Sequence, residues 1–149
     1  MRDALLPFLI AVLVLPSLTI GAGGALAQTA PAFAAAGTDA AQVAAFLKSL
    51  QASVALGNRT KVATLVHFPL TAWIGGEETI LRNESEFQAR YSRIFDPGVK
   101  KAIAEAKVDT LLADQQGIRL GNGQVRFRPM PEHKNAIRIV AFNEAGETK

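Results

Sequence analysis

The chain has 149 residues, of which 49% are hydrophobic and 19% are charged, and its formal net charge is +3 at pH 7. This length indicates one domain, and the composition is too hydrophobic and too weakly charged for a disordered chain. The absence of cysteine excludes disulfides, thiolate metal sites, a cysteine nucleophile and a lipoprotein anchor. The only histidines are His67 and His133, too few for a purely histidine-built metal centre. We therefore expect one globular domain with no metal and no cofactor.

Residues 1–27 have the pattern of a secretory signal peptide. Arg2 precedes an apolar run over residues 4–15, and the small-x-small sequence Ala-Leu-Ala occupies residues 25–27. A positive start, an apolar stretch of about 12 residues and a small-residue site are the three parts of such a signal. An uncleaved anchor is the alternative, because the apolar segment reaches about 17 residues if it extends to Ile20. The prolines in the segment and the small-residue site favour cleavage.

Cleavage divides the chain and predicts its location. Residues 1–27 would be removed, and the mature protein would be exported to the periplasm or secreted. Removal takes away one Arg and one Asp, which leaves 15 basic against 12 acidic residues and the same +3 balance. That balance, without a clustered basic motif, argues against a nucleic-acid partner, and no membrane association is expected after cleavage. We predict a flexible lead-in over residues 28–38, one folded domain over residues 39–143 and a tail over residues 144–149.

The folded domain is predicted to begin with helices. Asp39 can cap the first helix together with Gln42 three residues on, and Gly57-Asn58 ends it. A short second helix is predicted over residues 59–66, and His67-Phe68-Pro69 breaks its pattern. The first helix has one apolar stripe at three- and four-residue steps, formed by Val43, Phe46, Leu47, Leu50 and Val54.

A strand pair and two further helices follow. Residues 70–74 and 79–81 read as strands around a Gly75-Gly76 turn. Asn83 with Glu86 is a capping pair, and Asp96-Pro97 starts another helix that runs to about residue 106. The helix after Asn83 has an apolar side formed by Phe87, Tyr91, Ile94 and Phe95.

The remaining chain is predicted to form strands over residues 110–113, 117–120, 124–128 and 136–142. Asn122-Gly123 is a strong hairpin signal, because both residues tolerate positive φ in a type I′ turn. A two-residue loop there makes one face apolar and leaves arginines on the other, whereas a three-residue loop would mix the faces. The favoured register pairs Leu120 with Val125, Arg119 with Arg126 and Ile118 with Phe127. In the last strand, Ile137, Ile139 and Ala141 alternate against Arg138, Val140 and Phe142.

This order of elements is an α+β plan, with N-terminal helices packed on a curved antiparallel sheet. Three stretches carry a resemblance to a known family: FLKSLQASVALGNRTKVATLVHFP, ILRNESEFQARYSRIFDP and QGIRLGNGQVRF. They resemble the nuclear-transport-factor-2-like superfamily, whose cone fold is shared with ketosteroid isomerase and SnoaL-like cyclases, and more closely its small exported bacterial members of unassigned function. The resemblance spans roughly residues 40–142. It implies a sheet wrapped around helices to leave a pocket, which hosts catalysis in some members and only binding in others.

Three residues are candidates for catalysis. Asp114, at a strand boundary beside apolar residues, is the best general base, with a turn-forming role as the alternative. Isomerase chemistry of the family type needs such a carboxylate opposite an oxyanion hole that includes a tyrosine. Tyr91 is the only tyrosine, and its other interpretation is a core ring with a solvated hydroxyl. His67 is either a general base or a helix-terminus histidine, while His133 lies in a polar loop and is expected to be solvated.

Candidates for ligand binding are Trp73, Tyr91, Asp114 and Gln116. Trp73 is the residue whose direction is open. It points away from the core if the alternate residues of its strand, such as Leu70 and Ala72, face the core, and it lines the pocket if the sheet face is reversed.

The arginines of the C-terminal strands are the most unusual feature. Arg119 and Arg126 are directly opposed in the favoured register, Arg128 lies two residues on, and Arg138 is in the last strand. Opposed like charges destabilise a sheet unless something compensates them. The compensation would come from a neighbouring acid, from solvent, or from an anionic ligand or partner.

Two function classes follow. The favoured one is a non-enzymatic exported module that binds a small molecule or an acidic protein, with a homodimer through the sheet left open. The other is a small pocket enzyme of isomerase or dehydratase type that uses Asp114 as a base, helped by Tyr91 or His67. They differ in whether Asp114 and Tyr91 point into one closed apolar cavity.

Overall fold

The computed structural model describes residues 31–143. The predicted signal segment 1–27 and the tail 144–149 lie outside these residues. The helices are α1 (Ala40–Ala55), α2 (Arg59–Ala63), α3 (Glu84–Ile94) and α4 (Pro97–Glu105). The strands are β1 (Val66–Ile74), β2 (Glu77–Leu81), β3 (Leu112–Asp114), β4 (Gly117–Leu120), β5 (Val125–Met130) and β6 (Ala136–Phe142). Short 3-10 helices cover Pro31–Ala36, Val108–Thr110 and Pro131–His133.

The six strands form one open sheet in the order β2-β1-β6-β5-β4-β3. β1 runs parallel to β6, and the other neighbours are antiparallel. The predicted α+β class is therefore confirmed, but the expectation of an antiparallel sheet is wrong. Two strands joined through a long crossover can pair in parallel, and α3, α4 and four strands separate β1 from β6.

Local capping chemistry sets the start of each of the four α-helices among residues 31–143. Each follows an Asp or Asn whose side-chain oxygen accepts a hydrogen bond from the backbone N–H three residues on, as an N-cap requires. The predicted caps at Asp39, Asn83 and Asp96 are confirmed. The donor–acceptor distances are 2.9 Å from Gln42 N to Asp39, 2.9 Å from Lys61 N to Asn58, 3.0 Å from Glu86 N to Asn83 and 2.8 Å from Val99 N to Asp96.

The helices pack on one face of the sheet, called here the inner face. The predicted apolar stripe of α1 is buried, and its Phe46 ring lies 4.8 Å from the ring of Phe127 on β5. Phe95, which ends α3, lies 5.0 Å from Phe142 on β6. The side-chain amide of Gln51 on α1 donates to the carbonyl oxygens of residues 103 and 106 at 2.9 Å, which ties α1 to the end of α4. No helix in residues 31–143 has both the length and the apolar content to span a membrane.

The segment before α1 is more ordered than its sequence suggests. Within residues 28–38, expected to be a flexible lead-in without an apolar face, the 3-10 helix Pro31–Ala36 brings Phe33 into the core. Phe33 is only 2% exposed. A single aromatic side chain cannot produce a periodic pattern, so its burial is a tertiary effect.

The strand β1 begins earlier than predicted. It starts at Val66, and His67-Phe68-Pro69 lies within it, whereas α2 already ends at Ala63. The β1–β6 register shifts between Val66 and Thr71. A bulge of this kind accommodates a proline that an undisturbed central strand would exclude.

The β4–β5 hairpin has the predicted register, including Arg119 opposite Arg126. The predicted type I′ turn is wrong. Gly123 has φ +89°, but Asn122 is not among the residues with positive φ, which a type I′ turn would require. The register therefore came from the apolar pattern rather than from the assumed turn type.

The alternation along β6 is interrupted by a bulge. Phe127 pairs with Ile139, but the next residue back, Arg126, pairs with Ala141, so Val140 is extra. Phe142 consequently turns to the inner face, where it is 2% exposed, rather than sharing the face of Arg138 as predicted. A single inserted residue inverts a period-two pattern beyond it.

Candidate functional site

The face of the sheet opposite the helices, called here the outer face, carries the candidate arginines. Ile118 and Phe127 are fully buried on the inner face, so Arg119 and Arg126 beside them in sequence point outward. Arg128 and Arg138 are also directly opposed, on β5 and β6. We call Arg119, Arg126, Arg128 and Arg138 the arginine face. It consists of two facing pairs of like charge.

Part of this charge is compensated from within the chain. Asp114 Oδ2 lies 3.5 Å from Arg119 Nε, and the two side chains are 39% and 30% exposed. The Oε1 atom of Gln116 accepts a hydrogen bond of 2.7 Å from Arg126 Nη1. Arg138 donates to the carbonyl oxygen of Ile137 at 3.1 Å. Among residues 31–143, Asp114 is the one acid that forms an ion pair with the face, so four positive charges meet one negative charge.

The arginine face also has unused hydrogen-bonding capacity. The Nε atoms of Arg119 and Arg126 are both buried and have no hydrogen-bond partner. For Arg119, Asp114 is within ion-pair distance but does not accept a hydrogen bond from Nε. An unpaired buried donor costs free energy, so these two Nε atoms make the arginine face less stable.

Asp114 does not lie in an apolar pocket. It pairs with Gly117 at the end of β3, on the same outer face as Arg119. Its Oδ1 accepts a hydrogen bond of 2.8 Å from the backbone N–H of Gln116. The turn-forming interpretation therefore describes its local role, and the ion pair with Arg119 is added to it.

Tyr91 lies in the core, 4% exposed, with its ring stacked on Phe95 at a centroid distance of 4.4 Å. The guanidinium of Arg59 lies 5.1 Å from the ring centroid, in cation–π contact. The hydroxyl is buried without a hydrogen-bond partner, so the expectation of a solvated hydroxyl is wrong. Burial raises the pKa of Tyr91 above its ordinary 10.0, and the nearby Arg59 charge partly opposes this.

The two residues that an isomerase would need together are on opposite sides of the sheet. Tyr91 belongs to the core under the inner face, whereas Asp114 is on the outer face with Arg119. Trp73 is outward as well, because Leu70 and Ala72 of the same strand are fully buried. Trp73, Asp114 and Gln116 therefore share the outer face, with β6, β5 and β4 between Trp73 and Asp114, and Tyr91 is separate from them.

Three clefts are found on the surface, and the third includes Arg128 of the arginine face. The first, of about 480 Å³, lies between α1 and α4; the second, of about 390 Å³, lies between α1 and the start of β6. The third, of about 450 Å³, lies beside residues 36–37 and 128–132. None of these three is lined by Trp73, Tyr91, Asp114 or Gln116. The predicted ligand-binding residues thus do not line these clefts.

His67 is not at a helix terminus as predicted, because it lies on β1. Its ring lies 6.1 Å from that of His133, at an interplanar angle of 62°. Glu132 adjoins the pair, and one ligand atom from each of the three lies within 4.8 Å of the others. No sequence pattern links these two histidines, because 65 residues lie between them. Only the parallel pairing of β1 with β6 brings them together.

In comparisons with known proteins, no protein-family model, curated protein or solved structure matches this chain.

Proposed function

We propose that this protein is an exported, non-enzymatic binding module whose arginine face binds an acidic protein partner. The observation that carries the proposal is the pair of opposed arginine couples, Arg119 with Arg126 and Arg128 with Arg138, with one ion-pairing carboxylate in residues 31–143. Opposed like charges on a sheet are destabilising when uncompensated. Carboxylates of a partner would supply the missing negative charge and accept hydrogen bonds from the guanidinium groups.

The surroundings of the arginine face favour a protein over a small molecule. Trp73 is half-buried on the same outer face, and Leu112, opposite Arg119, is 58% exposed. Tryptophan and arginine are the residue types that dominate binding energy at protein interfaces, where exposed apolar side chains also become buried. An open sheet surface suits the broad contact of a protein partner.

Charge also favours a foreign partner over a second copy. A symmetric dimer through the outer face would bring the same patch of both subunits together. Arginine pairs would then meet arginine pairs, with Asp114 as the ion-pairing acid on each side. An acidic partner avoids that repulsion, although a homodimer remains one outcome of the test below.

The finer parts of the proposal rest on sequence pattern and element order. The cone fold of the superfamily that the sequence resembles is supported by helices on one face of an open mixed sheet. Export is supported by the signal-like residues 1–27. Against the isomerase alternative stand the ion pair that holds Asp114 on the outer face and the placement of Tyr91 inside the core.

Arg126→Gln tests the proposed surface. The probe is polyglutamate, with retention on an anionic resin as a second assay, both in low and high salt. We expect wild-type binding to weaken with salt, because exposed charge attraction is screened over about 8–10 Å. The variant should bind polyglutamate about two- to fivefold more weakly in low salt. Its melting temperature should be level or slightly raised, since a repulsive pair is relieved.

Arg90→Gln is the matched control, because Arg90 is exposed on α3 and the change removes the same charge. It should reduce polyglutamate binding less than Arg126→Gln. Equal loss in both variants would mean that only net charge matters, and the surface would fail as a specific site. Destabilisation of Arg126→Gln at every salt concentration would show that its bond to Gln116 is structural. Sedimentation of the wild-type chain as a dimer that Arg126→Gln abolishes would replace the acidic partner by a second copy.

A further inference from the structure

We propose that His67, Glu132 and His133 form a binding site for one zinc ion, apart from the arginine face and independent of its function. Each residue offers one ligand atom, and these three atoms lie within 4.8 Å of one another. The three side chains come from two separate parts of the chain, β1 and the 3-10 helix Pro131–His133. Two imidazoles and one carboxylate are a ligand set that zinc uses in proteins.

The sheet holds the two parts of this site in fixed relation. On one side, Val66 pairs with Ile139, and the N–H of Ile139 donates to the carbonyl oxygen of Leu65 at 2.8 Å. This places the backbone of His67 beside the middle of β6. The backbone positions at one side of the site are therefore set by the β1–β6 ladder.

The turn between β5 and β6 fixes the other side. Met130 pairs with Ala136, and the N–H of Asn135 donates to the carbonyl oxygen of Met130 at 3.0 Å, which closes the turn. Lys134 and Asn135 both adopt left-handed backbone conformations, with φ of 55° and 60°. Such conformations are uncommon for residues other than glycine. The turn thus has a defined shape that presents Glu132 and His133 toward His67.

Small side-chain rotations bring the ligand atoms to metal-binding distance. Ligand atoms around a tetrahedral zinc ion, with bonds of about 2.0–2.1 Å, lie about 3.3 Å apart. Starting from separations within 4.8 Å, the atoms need to close by no more than about 1.5 Å. Glu132 and His133 are exposed, so their rotamers can change without repacking the core.

The donor set indicates the class of metal. Imidazole nitrogen favours zinc and neighbouring transition metals, whereas magnesium and calcium prefer oxygen ligands only. Three protein ligands leave a fourth tetrahedral position for water or for a group from outside the chain. We therefore expect one zinc ion per chain and no comparable binding of magnesium.

Calorimetric titration of the chain without a histidine tag tests the site. We expect one zinc ion per chain, tetrahedral absorption bands when cobalt replaces zinc, and no heat with magnesium. His133→Gln should lower the zinc affinity at least about tenfold, because even loss of a residue that supports a ligand costs about 10- to 100-fold. His67→Gln and Glu132→Gln should each act in the same direction. At equal zinc concentration, zinc should raise the melting temperature of the wild type more than that of the variants.

Two features make the outcome decisive. His133 is exposed on a turn, so its replacement leaves the core intact even if the half-buried His67 proves sensitive. Glu77→Gln is the control, because Glu77 is an exposed carboxylate opposite Ile74, at the far end of β1 from His67. The proposal is overturned if the wild type binds zinc no more tightly than a His67→Gln/His133→Gln double variant. It is equally overturned if Glu77→Gln weakens binding as much as His133→Gln.

Discussion

At the scale of single residues, Tyr91 keeps a polar group inside the core without a partner. Its hydroxyl is buried with no hydrogen bond, between aromatic neighbours that include Phe87 and Phe95. A buried hydroxyl without a partner costs about 1–3 kcal/mol. The ring contributes packing and the contact with Arg59, so the ring and not the hydroxyl stabilises the core here.

Tyr91→Phe should therefore leave the free energy of unfolding equal or raise it by up to about 1 kcal/mol. Chemical denaturation at neutral pH measures this. A loss of more than about 1 kcal/mol would show that the hydroxyl has a partner and would reopen a role for it. Ala89→Ser, at an exposed position of the same helix, is the control.

The raised pKa of Tyr91 makes a separate prediction about pH. Because burial holds the folded-state pKa above 10.0, the folded chain keeps a proton that the unfolded chain releases. The stability contribution is complete below pH 10.0 and is lost as the pH rises through the folded-state pKa. Wild type should lose stability above about pH 10 more steeply than Tyr91→Phe. Tyr91 is the only tyrosine, so absorbance at the tyrosinate band follows it alone; a midpoint at or below the value in urea would contradict the prediction.

At the scale of elements, the β4–β5 hairpin depends on the backbone of Gly123. Its φ is +89°, and a Cβ built there would meet no atom within 4 Å. A larger residue at this position is therefore opposed by backbone strain and not by crowding. The same loop positions Arg119 and Arg126 opposite each other, so the turn supports the arginine face.

Gly123→Val should destabilise the protein by about 1–2 kcal/mol, because a β-branched residue is forced to positive φ. The melting temperature measures the loss. Asn122→Ala is the control, since Asn122 is exposed in the same turn and does not have positive φ. An unchanged melting temperature for Gly123→Val would mean that the turn adopts another backbone conformation in solution.

At the scale of the whole molecule, the segment before α1 belongs to the folded domain. Phe33 enters the core from the 3-10 helix Pro31–Ala36, which contacts β3 and β4. Under the proposed cleavage after residue 27, this helix stays in the mature chain. The mature N-terminus would then be anchored three residues after it begins.

Phe33→Ala should lower the melting temperature, at a cost below the about 3–5 kcal/mol typical of a central Phe, because a terminal segment can detach without unfolding the sheet. Hydrogen exchange should rise first at residues 33–38. Ala35→Ser, at an exposed position of the same helix, is the control. Unchanged stability and exchange in Phe33→Ala would show that the segment does not dock.

The sequence by itself determined the features that depend on neighbours within a few residues. The caps at Asp39, Asn83 and Asp96 and the apolar stripe of α1 follow from side chains and backbone groups in one helical turn. The β4–β5 register follows from the period-two pattern on both sides of a short loop. Such interactions can be predicted from the sequence because their residues are close together in the chain and therefore close in space in any fold.

The tertiary structure alone decided what depends on distant partners. The parallel pairing of β1 with β6 placed His67 beside His133, and the bulge at Val140 turned Phe142 inward. Neither leaves a periodic signal, since one is a contact across the chain and the other a single inserted residue. The same holds for the candidate site, where opposed arginines were predicted locally, but the outward direction of Trp73 and the separation of Asp114 from Tyr91 were not. Those depend on which face of the sheet the helices cover, a choice made by the burial of apolar area over the whole domain.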